Sequence, residues 1–354
     1  MSDSALTAVP IDPYPVVPRS GSQVPRRNAV TSEGHVPVVD LGGVAGDADR
    51  WRAAAEMVDS AARRSGFYLV TGHDVPDGVV DRFYRETLAM FHLSAEEQAY
   101  LAPVPGDPMA RGLTDSTKVS ASYGLDTDED AAKVWGMAPH GEPGWRTLSA
   151  DEVGAMLGMP NVYPSQEFRR AALAYYGAMT NQLHILLALH ADALGLPRHY
   201  FLGMHQESLA GLVANYYPKQ KSAPDPARES YCMGPHTDWG TLTILWHSGQ
   251  QGLQIVDPAQ ADRWMEVPTV PGALVVNVGD ALGLMAGYRS ALHRVECPVG
   301  EVAAERVSLV YFGQPGWSDR IGPVPGYRPT DGTERELLYG PEFMLGKMRA
   351  KTGT

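Results

Sequence analysis

The chain has 354 residues, 44% of them hydrophobic and 20% charged, a composition typical of a globular protein with a sizeable core. Its 29 basic and 41 acidic residues give a formal net charge of −12, which argues against a nucleic-acid partner, since such partners need a basic footprint. No apolar run approaches the roughly 18 residues of a membrane span, and we expect no secretory signal at the N-terminus.

Helices and loops are predicted for the first half of the chain. Residues 1–34 are rich in Pro and Ser and lack periodicity, which indicates a tail or a strap over the surface. A strand at 36–41 precedes a helix with an apolar stripe, which Gly66 ends. The strand FYLVTGH and a second helix, capped by Asp77, follow. Residues 103–145 are rich in Gly, Pro and Asp, which predicts a long, partly ordered loop, and loops of this length are often functional.

A long helix separates this half from a β-rich second half. Ser165 is its predicted N-cap, and Gly195 lies near its end. After Pro197, eight short β-rich runs alternate with Gly and Pro turns, which predicts a sandwich or jelly roll rather than parallel βαβ units. The stretch GPEFMLGKMRAK predicts a last helix. The expected fold class is therefore α+β, with an α-rich half packed against a β-barrel half.

The stretch GPHTDWGTLTILW places an imidazole and a carboxylate, His236 and Asp238, two positions apart in a predicted strand. Residues i and i+2 of a strand point to one face, so the two side chains are expected to converge. His293 lies on another predicted strand, and two histidines with one carboxylate are the facial set that suits non-haem Fe(II). The first two residues alone would equally form a hydrogen-bonded pair at a strand end; the third favours a metal site.

Two further pairs at the same spacing lie on predicted strands. Arg306 and Ser308 share a face in RVSLVYF, where they can clamp a carboxylate, although an internal salt bridge also explains the pattern. Asn215 and Tyr217 share a face in VANYYP, where they can hydrogen-bond an acid or simply line the core. His247 follows TILW and is expected at an exposed hairpin position.

These motifs, in this order, resemble the isopenicillin N synthase-like family of non-haem Fe(II)/2-oxoglutarate-dependent oxygenases. The resemblance is carried by HTD, HRV, RVS and NYYP, together with QGLQIVD, VPTVPGALVVNVGD and GYRSALHRV. At the N-terminal end it is carried by VPVVDLGG and SGFYLVTGHDVP, so it covers residues 36–315. It implies a double-stranded β-helix, or jelly-roll, barrel with a long supporting helix.

The resemblance also implies a role for each motif. The residues that it assigns to Fe(II) are His236, Asp238 and His293, and those that it assigns to 2-oxoglutarate are Arg306, Ser308, Tyr217 and, more weakly, Asn215. O2 and 2-oxoglutarate would be co-substrates. The reaction would release succinate and CO2 while a small organic molecule is hydroxylated, desaturated or cyclised.

We expect one compact catalytic unit made of five segments. They are a Pro-rich tail at 1–34, an N-terminal region with a variable loop at 35–145, supporting helices at 146–205, the jelly-roll core at 206–320, and a C-terminal lid and helix at 321–354. The family places substrate recognition on variable loops, here 109–126 and 316–341. The candidate substrate residues are Arg111, Lys118, Ile244, Leu253 and Phe312. Surface solvation of the two cations and core packing of the three apolar residues explain them equally well.

Three other functions fit parts of the sequence. An oxidase of the same fold, similar to isopenicillin N synthase or aminocyclopropane-carboxylate oxidase, would use its Arg-x-Ser pair for the substrate's own carboxylate. A non-catalytic metal-binding protein is disfavoured because all three metal ligands are present. A zinc hydrolase lacks a general base beside the triad and leaves Arg306 without a role.

Composition also predicts a biological setting. Frequent Ala, Gly and Arg are typical of a high-GC bacterium, which favours specialised metabolism such as antibiotic biosynthesis. Cys232 and Cys297 are too few for a disulfide framework, so a reducing cytoplasm is expected. The expected partner is a small-molecule substrate, with no nucleic acid and no membrane. A monomer or a weak homo-oligomer is expected.

Overall fold

The structure is a computed structural model of the chain. It describes residues 24–25, 30–31, 36–107, 109–115, 132–138, 158–218, 231–249, 251–296, 305–329 and 336–347. Two β-sheets face each other at its centre, and helices cover the outer face of the larger sheet.

The helices lie mainly in the first half of the chain. They are α1 (Ala48–Arg64), α2 (Asp77–Phe91), α3 (Ala95–Ala99), α4 (Gln166–Ala193) and α5 (Asp280–Ala286), with a last helical segment at Tyr339–Met344. The Asp47 carboxylate accepts the first N–H groups of α1, and the Ser165 hydroxyl accepts the Phe168 N–H of α4 at 3.0 Å. Both helices therefore begin where a side chain satisfies their free donors.

The strands lie mainly in the second half. They are β1 (Val30–Thr31), β2 (Val38–Asp40), β3 (Phe67–Thr71), β4 (Gly112–Thr114), β5 (Lys133–Met137), β6 (Gly211–Tyr217), β7 (Met233–His236), β8 (Leu242–His247), β9 (Leu253–Val256), β10 (Trp264–Glu266), β11 (Leu274–Val278), β12 (His293–Val295), β13 (Arg306–Gly313), β14 (Arg320–Ile321) and β15 (Leu337–Leu338). The strand order is β1-β10-β9-β12-β7 in the smaller sheet and β2-β3-β11-β8-β13-β6-β5-β4 in the larger one.

The two sheets form the predicted jelly roll. Most neighbouring strands are antiparallel, and the parallel pairs, β1–β10 and β2–β3, lie at sheet edges. Among the described residues, the ladders of the two sheets do not join into one closed barrel. The site residues must therefore meet across the space between the sheets.

Side-chain alternation along the larger sheet separates two apolar cores. Tyr68 and Leu309 belong to the face that packs against α1, α2 and α4. Leu69 and Val275 belong to the opposite face, where they pack with Ile255 of the smaller sheet. Because successive residues of a strand point to opposite faces, each strand of the larger sheet contributes to both cores. The second core lies between the sheets, and we call it the interior.

Most of the predicted elements are confirmed. The eight β-rich runs after Pro197 are β6 to β13, and the long helix has the predicted N-cap. Three predictions were wrong. Asp77 is the first residue of α2, and the N-cap position is Pro76, which makes no side-chain cap. The loop predicted at 103–145 contributes β4 and β5, and the tail predicted at 1–34 contributes β1. These short edge strands form by pairing with distant segments, which local alternation does not reveal.

None of the helices in the described ranges has the length and hydropathy needed to cross a bilayer. Cys232 is buried and disulfide-bonded, so the small number of cysteines does not by itself support a reducing compartment. The compartment, the segment boundaries and the oligomeric state all stay predictions.

Candidate active site

Two histidines meet across a strand pair at one side of the smaller sheet. His236 is the last residue of β7 and His293 the first of β12, and the two are direct partners in the antiparallel register. Asp238 follows, and its Oδ1 lies 3.9 Å from Nε2 of each histidine. One possible ligand atom from each residue lies within 4.8 Å of the others, so a single cation can contact all three.

Backbone carbonyls orient both imidazole rings. The Nδ1–H of His236 donates to the Gly234 carbonyl at 2.7 Å, and that of His293 donates to the Ala291 carbonyl at 3.0 Å. Each bond places the ring proton on Nδ1, so the lone pair that can bind a metal is on Nε2. Phe67 packs edge-on against the His293 ring, with the centroids 5.4 Å apart, and restricts its rotation.

The larger sheet holds the carboxylate. Asn277 of β11 donates its Nδ2–H to Asp238 Oδ2 at 2.7 Å, and Thr243 of β8 donates a second hydrogen bond. Burial by itself raises the pKa of Asp238, but the neighbouring His293 and His236 and the two hydrogen bonds outweigh it and hold the pKa below its ordinary value. The group is an ionised carboxylate. Two imidazoles and one carboxylate are a donor set suited to Fe(II), so the residues fit this metal.

His236 and Asp238 converge for a different reason from the predicted one. Strand β7 ends at His236, so Asp238 lies in the irregular segment that follows and not on the strand. This segment is held because the backbone N–H of Asp280 donates to the Asp238 carbonyl at 2.7 Å, while Asn277 holds the side chain. Cys232 lies near in sequence, but its sulfur is in a disulfide and cannot be a thiolate ligand.

Polar side chains form a patch on the interior face of the larger sheet. Asn215 of β6, Ser308 of β13 and His247 of β8 are consecutive partners in the register, and the Asn215 amide donates to Ser308 Oγ at 3.3 Å. Further along the strands Arg306 is the partner of Tyr217, with its guanidinium carbon 4.9 Å from the ring centroid. Directly opposed residues share a face. We call these five residues the interior polar patch.

Arg306 is the buried cation of the interior polar patch. It is 1% exposed, and burial lowers the pKa of its guanidinium, while Tyr217 and Glu266 favour the charged form. A guanidinium keeps its charge even when buried and matches the two oxygens of a carboxylate with parallel hydrogen bonds. The patch is therefore suited to a carboxylate.

Apolar residues separate the interior polar patch from the metal end of the site. Along β8 and β13, Leu245 and Val310 are partners, and one step further Thr243 is the partner of Phe312. The interior face is thus polar at the Ser308 position, apolar at Val310 and polar again at Thr243, where Asp238 is held. The distance along the strand between the two polar positions is about 13 Å. A short dicarboxylic acid with methylene groups at its centre has the same order of polarity.

The predicted apolar substrate residues do not share one location. Leu253 lies in the interior core, and Phe312 is partly buried on the interior face. Ile244 belongs to the core that packs against the helices. It is the neighbour of Thr243 along β8 and so points away from the interior, which contradicts the prediction that it lines the pocket.

Of the two predicted cationic substrate residues, the structure describes only Arg111. Arg111 is 1% exposed, and its guanidinium donates to both Asp107 oxygens, with Nε–Oδ2 at 2.8 Å and Nη2–Oδ1 at 2.9 Å. This buried bidentate pair holds the turn before β4, so Arg111 has a structural role and the expected exposed position is wrong. Lys118 lies outside the described residues.

Several supporting residues were missed by the sequence analysis. Asp280 begins α5 and accepts hydrogen bonds from Thr237 Oγ1 at 3.1 Å and from Ser290 Oγ at 2.5 Å. Thr237 lies between two candidate ligands, and Ser290 precedes the third. One signal was available for Asn277, the only polar residue in the buried strand LVVNV, because a buried polar side chain requires a partner.

Comparison with known proteins identifies the family. The family model of the 2OG-Fe(II) oxygenase superfamily matches residues 209–315. A second family model, 'non-haem dioxygenase in morphine synthesis N-terminal', matches residues 36–164. Validamycin A dioxygenase of Streptomyces hygroscopicus subsp. limoneus is 31% identical over 294 residues, which cover 79% of this chain and 76% of the relative. Scopoletin 8-hydroxylase of Arabidopsis thaliana is 27% identical over 350 residues, which cover 96% and 87%.

Solved structures share the fold. A 2OG-Fe(II) oxygenase family protein of Caulobacter crescentus has a TM-score of 0.74 at 24% identity, covering 90% of this chain and 99% of that one. Neurospora crassa T7H in complex with alpha-KG has a TM-score of 0.73 at 19% identity, covering 90% and 96%. The chain therefore belongs to the 2OG-Fe(II) oxygenase superfamily, in its isopenicillin N synthase-like branch, as its motifs predicted. It is a 2-oxoglutarate-dependent dioxygenase that uses Fe(II) and O2.

Proposed function

We propose that His236, Asp238 and His293 bind Fe(II) and that Arg306 and Ser308 bind the distal carboxylate of 2-oxoglutarate. The observation that carries this proposal is that the three candidate metal ligands and the Arg306 guanidinium line the same interior space. A three-donor cluster lies at one end, and a buried guanidinium lies beyond an apolar stretch of the same sheet face. The order of polarity matches a keto acid that contacts the metal at one end and the guanidinium at the other.

Tyr217 and Asn215 complete the proposed carboxylate site. Tyr217 lies beside Arg306, where its hydroxyl would donate to the same anion. Asn215 is bonded to Ser308 and would hold that hydroxyl in place. Donors that a neighbour already orients lose little freedom when an anion binds, so less of the interaction energy is spent on ordering.

Bound Fe(II) and 2-oxoglutarate supply oxidation by O2, in which the co-substrate becomes succinate and CO2 and, in a hydroxylation, the second oxygen atom enters a substrate C–H bond. The protein's own residues orient the reactants and exclude water. Carbonyl groups fix the rings of His236 and His293, and Asn277 fixes Asp238. Apolar residues such as Leu245 would remove water from the methylene groups of the co-substrate.

We infer that the primary substrate is a small organic molecule of bacterial specialised metabolism, which is hydroxylated, desaturated or cyclised. Similarity to the validamycin A dioxygenase of a Streptomyces species supports this setting. His236 has the most exposed side chain of the three candidate ligands, at 17% against 9% for His293 and 5% for Asp238. We therefore expect the substrate to approach on the His236 side, with Phe312 and Leu253 as candidate contacts.

An anaerobic titration tests the proposal. We expect Fe(II)-loaded protein to develop the visible absorption band of chelated 2-oxoglutarate, and His236→Ala to lose it. Arg306→Leu should keep the metal and need roughly a hundredfold more 2-oxoglutarate, because a charged, bidentate contact is lost. His199→Ala, at an exposed position, is the matched control and should behave as the wild type.

Turnover provides the second readout. Succinate release in air, screened against small-molecule libraries, would identify the substrate. A spectrum that stays unchanged when 2-oxoglutarate is added to the Fe(II) protein, together with no succinate from any candidate, would contradict the proposed function.

A further inference from the structure

His247 lies beside the proposed carboxylate site and not at the exposed hairpin position that the sequence predicted. It is the last residue of β8 and the direct partner of Ser308 on β13. The next residue, Ser248, donates its backbone N–H to the Val307 carbonyl at 3.0 Å. Hydrogen-bonded and non-hydrogen-bonded pairs alternate along an antiparallel ladder, so the His247–Ser308 pair is of the non-hydrogen-bonded kind, in which side chains lie closest.

A backbone contact fixes the tautomer of this imidazole. The N–H of Gly249 donates to His247 Nδ1 at 3.2 Å, so in the neutral ring the proton is on Nε2. Gly249 has a φ of 95°, which a glycine adopts without strain and which turns its N–H back to the ring. Within the described part of the chain, this is the one hydrogen bond of the His247 ring, and Nε2–H is left as an available donor.

The ring is also uncharged. Burial, and secondarily the charge of Arg306, lowers the pKa of His247 to about 4. A neutral imidazole beside a guanidinium adds a donor without adding a second positive charge, so it does not repel Arg306.

We propose that His247 is a further binding residue for 2-oxoglutarate, donating its Nε2–H to the distal carboxylate between Arg306 and Ser308. This inference rests on the proposed function, which places that carboxylate at the interior polar patch. A carboxylate has two oxygens and about four lone-pair directions, so it can accept from several donors at once, and His247 would add to those of Arg306, Ser308 and Tyr217. Hydrogen bonds to a charged acceptor are stronger than neutral ones, so this additional donor has a measurable effect on affinity.

The alternative is that His247 only stabilises the turn after β8 through Nδ1. The two roles depend on different ring nitrogens and affect the binding of different ligands. A binding role depends on Nε2–H and concerns only ligands with a distal carboxylate. A structural role depends on Nδ1 and affects every ligand, or none, together with stability.

The experiment measures dissociation constants of the Mn(II)-loaded full-length protein by calorimetry. The two ligands are 2-oxoglutarate and 2-oxobutyrate, which keeps the keto-acid end but lacks the distal carboxylate. We expect His247→Leu to weaken 2-oxoglutarate binding roughly ten- to hundredfold and to leave 2-oxobutyrate binding unchanged. His247→Gln retains an N–H donor and should recover most of the affinity. The matched control is His199→Leu at an exposed position, which should change neither constant.

A spectroscopic readout accompanies the titration. NMR spectra are recorded for the Zn(II)-loaded protein with ¹⁵N-labelled histidine. The resonance that is present in the wild type and absent from His247→Gln is assigned to the Nε2–H of His247. It should shift on addition of 2-oxoglutarate and not of 2-oxobutyrate.

The outcomes are distinguishable. Equal 2-oxoglutarate affinity in the wild type and His247→Leu, or an equal loss for both ligands with a lowered melting temperature, would overturn the role of His247 and leave the proposed function intact. Failure of the wild-type Mn(II) protein to bind 2-oxoglutarate would overturn both.

Discussion

Lys347 and Asp280 form a partly buried ion pair that connects the C-terminal segment to the metal end of the jelly roll. Lys347 Nζ lies 2.5 Å from Asp280 Oδ2, and the two side chains are 12% and 15% exposed. The same carboxylate accepts hydrogen bonds from Thr237, between two candidate ligands, and from Ser290, just before the third. Asp280 therefore links three separate parts of the chain around the proposed iron site.

Lys347→Met should loosen the C-terminal segment without disturbing the metal. Thr237 and Ser290 still satisfy Asp280, so we expect the free energy of unfolding to fall by about 1.5–3 kcal/mol, the value of a hydrogen bond to a charged group. Amide exchange should quicken in residues 337–347, while the dissociation constant of Mn(II) stays unchanged. Arg320→Met is the control, since Arg320 and Glu336 form an exposed pair, at 64% and 65%, worth less than about 1 kcal/mol. Equal losses in both variants would speak against a special role for the Lys347 pair.

Asn277→Leu should weaken metal binding. The substitution removes the hydrogen bond that orients Asp238, and loss of such a supporting contact lowers metal affinity by about 10- to 100-fold. A Mn(II) titration measures the change. Asn215→Leu is a useful comparison, because Asn215 lies in the interior polar patch and should alter 2-oxoglutarate affinity but not that of the metal. A metal affinity unchanged in Asn277→Leu would show that Asp238 is held by other contacts.

Metal removal should destabilise the protein. Binding to the folded state alone adds about 2.7 kcal/mol of stability at a free metal concentration one hundred times the dissociation constant. We therefore expect a chelator to lower the melting temperature and Mn(II) to restore it. In His293→Ala, where the proposed ligand set is incomplete, adding Mn(II) should have little effect on melting. The prediction fails if the variant responds to Mn(II) as strongly as the wild type.

Because His190 resists protonation in the folded state, we expect the protein to be less stable in mild acid than at neutral pH. This residue of α4 is fully buried, with Nε2 3.0 Å from the Tyr68 hydroxyl, and burial lowers its pKa from 6.5 to about 4. The unfolded chain therefore takes up a proton at a higher pH than the folded one. The contribution of His190 is complete above pH 6.5 and is lost as the pH falls from 6.5 towards 4.

Substitution of His190 separates its contribution to the pH dependence of stability from that of other groups. We expect the His190 contribution to unfolding free energy to be about 2 kcal/mol smaller at pH 5 than at pH 7. Urea denaturation of wild type and His190→Gln at both pH values measures it, and the variant should show the smaller pH difference. His199→Gln, at an exposed position, should retain the wild-type difference. Identical pH differences in His190→Gln and the wild type would refute the assignment.

The sequence by itself determined which residues of a strand share a face. Arg306 with Ser308, and Asn215 with Tyr217, are brought together as their spacing requires. Alternation is a property of one extended segment, so it is present in the sequence wherever the segment is a strand. The same argument was weaker for Asp238, which lies beyond the end of β7 and is held by the larger sheet instead.

Only the tertiary structure decided which strands are neighbours and which face of each strand is interior. It placed His247 opposite Ser308 and turned Ile244 towards the helices. None of these relations follows from the spacing along one segment. They result from the burial of apolar faces by segments far apart in the chain, and that burial selects one strand order for the whole molecule.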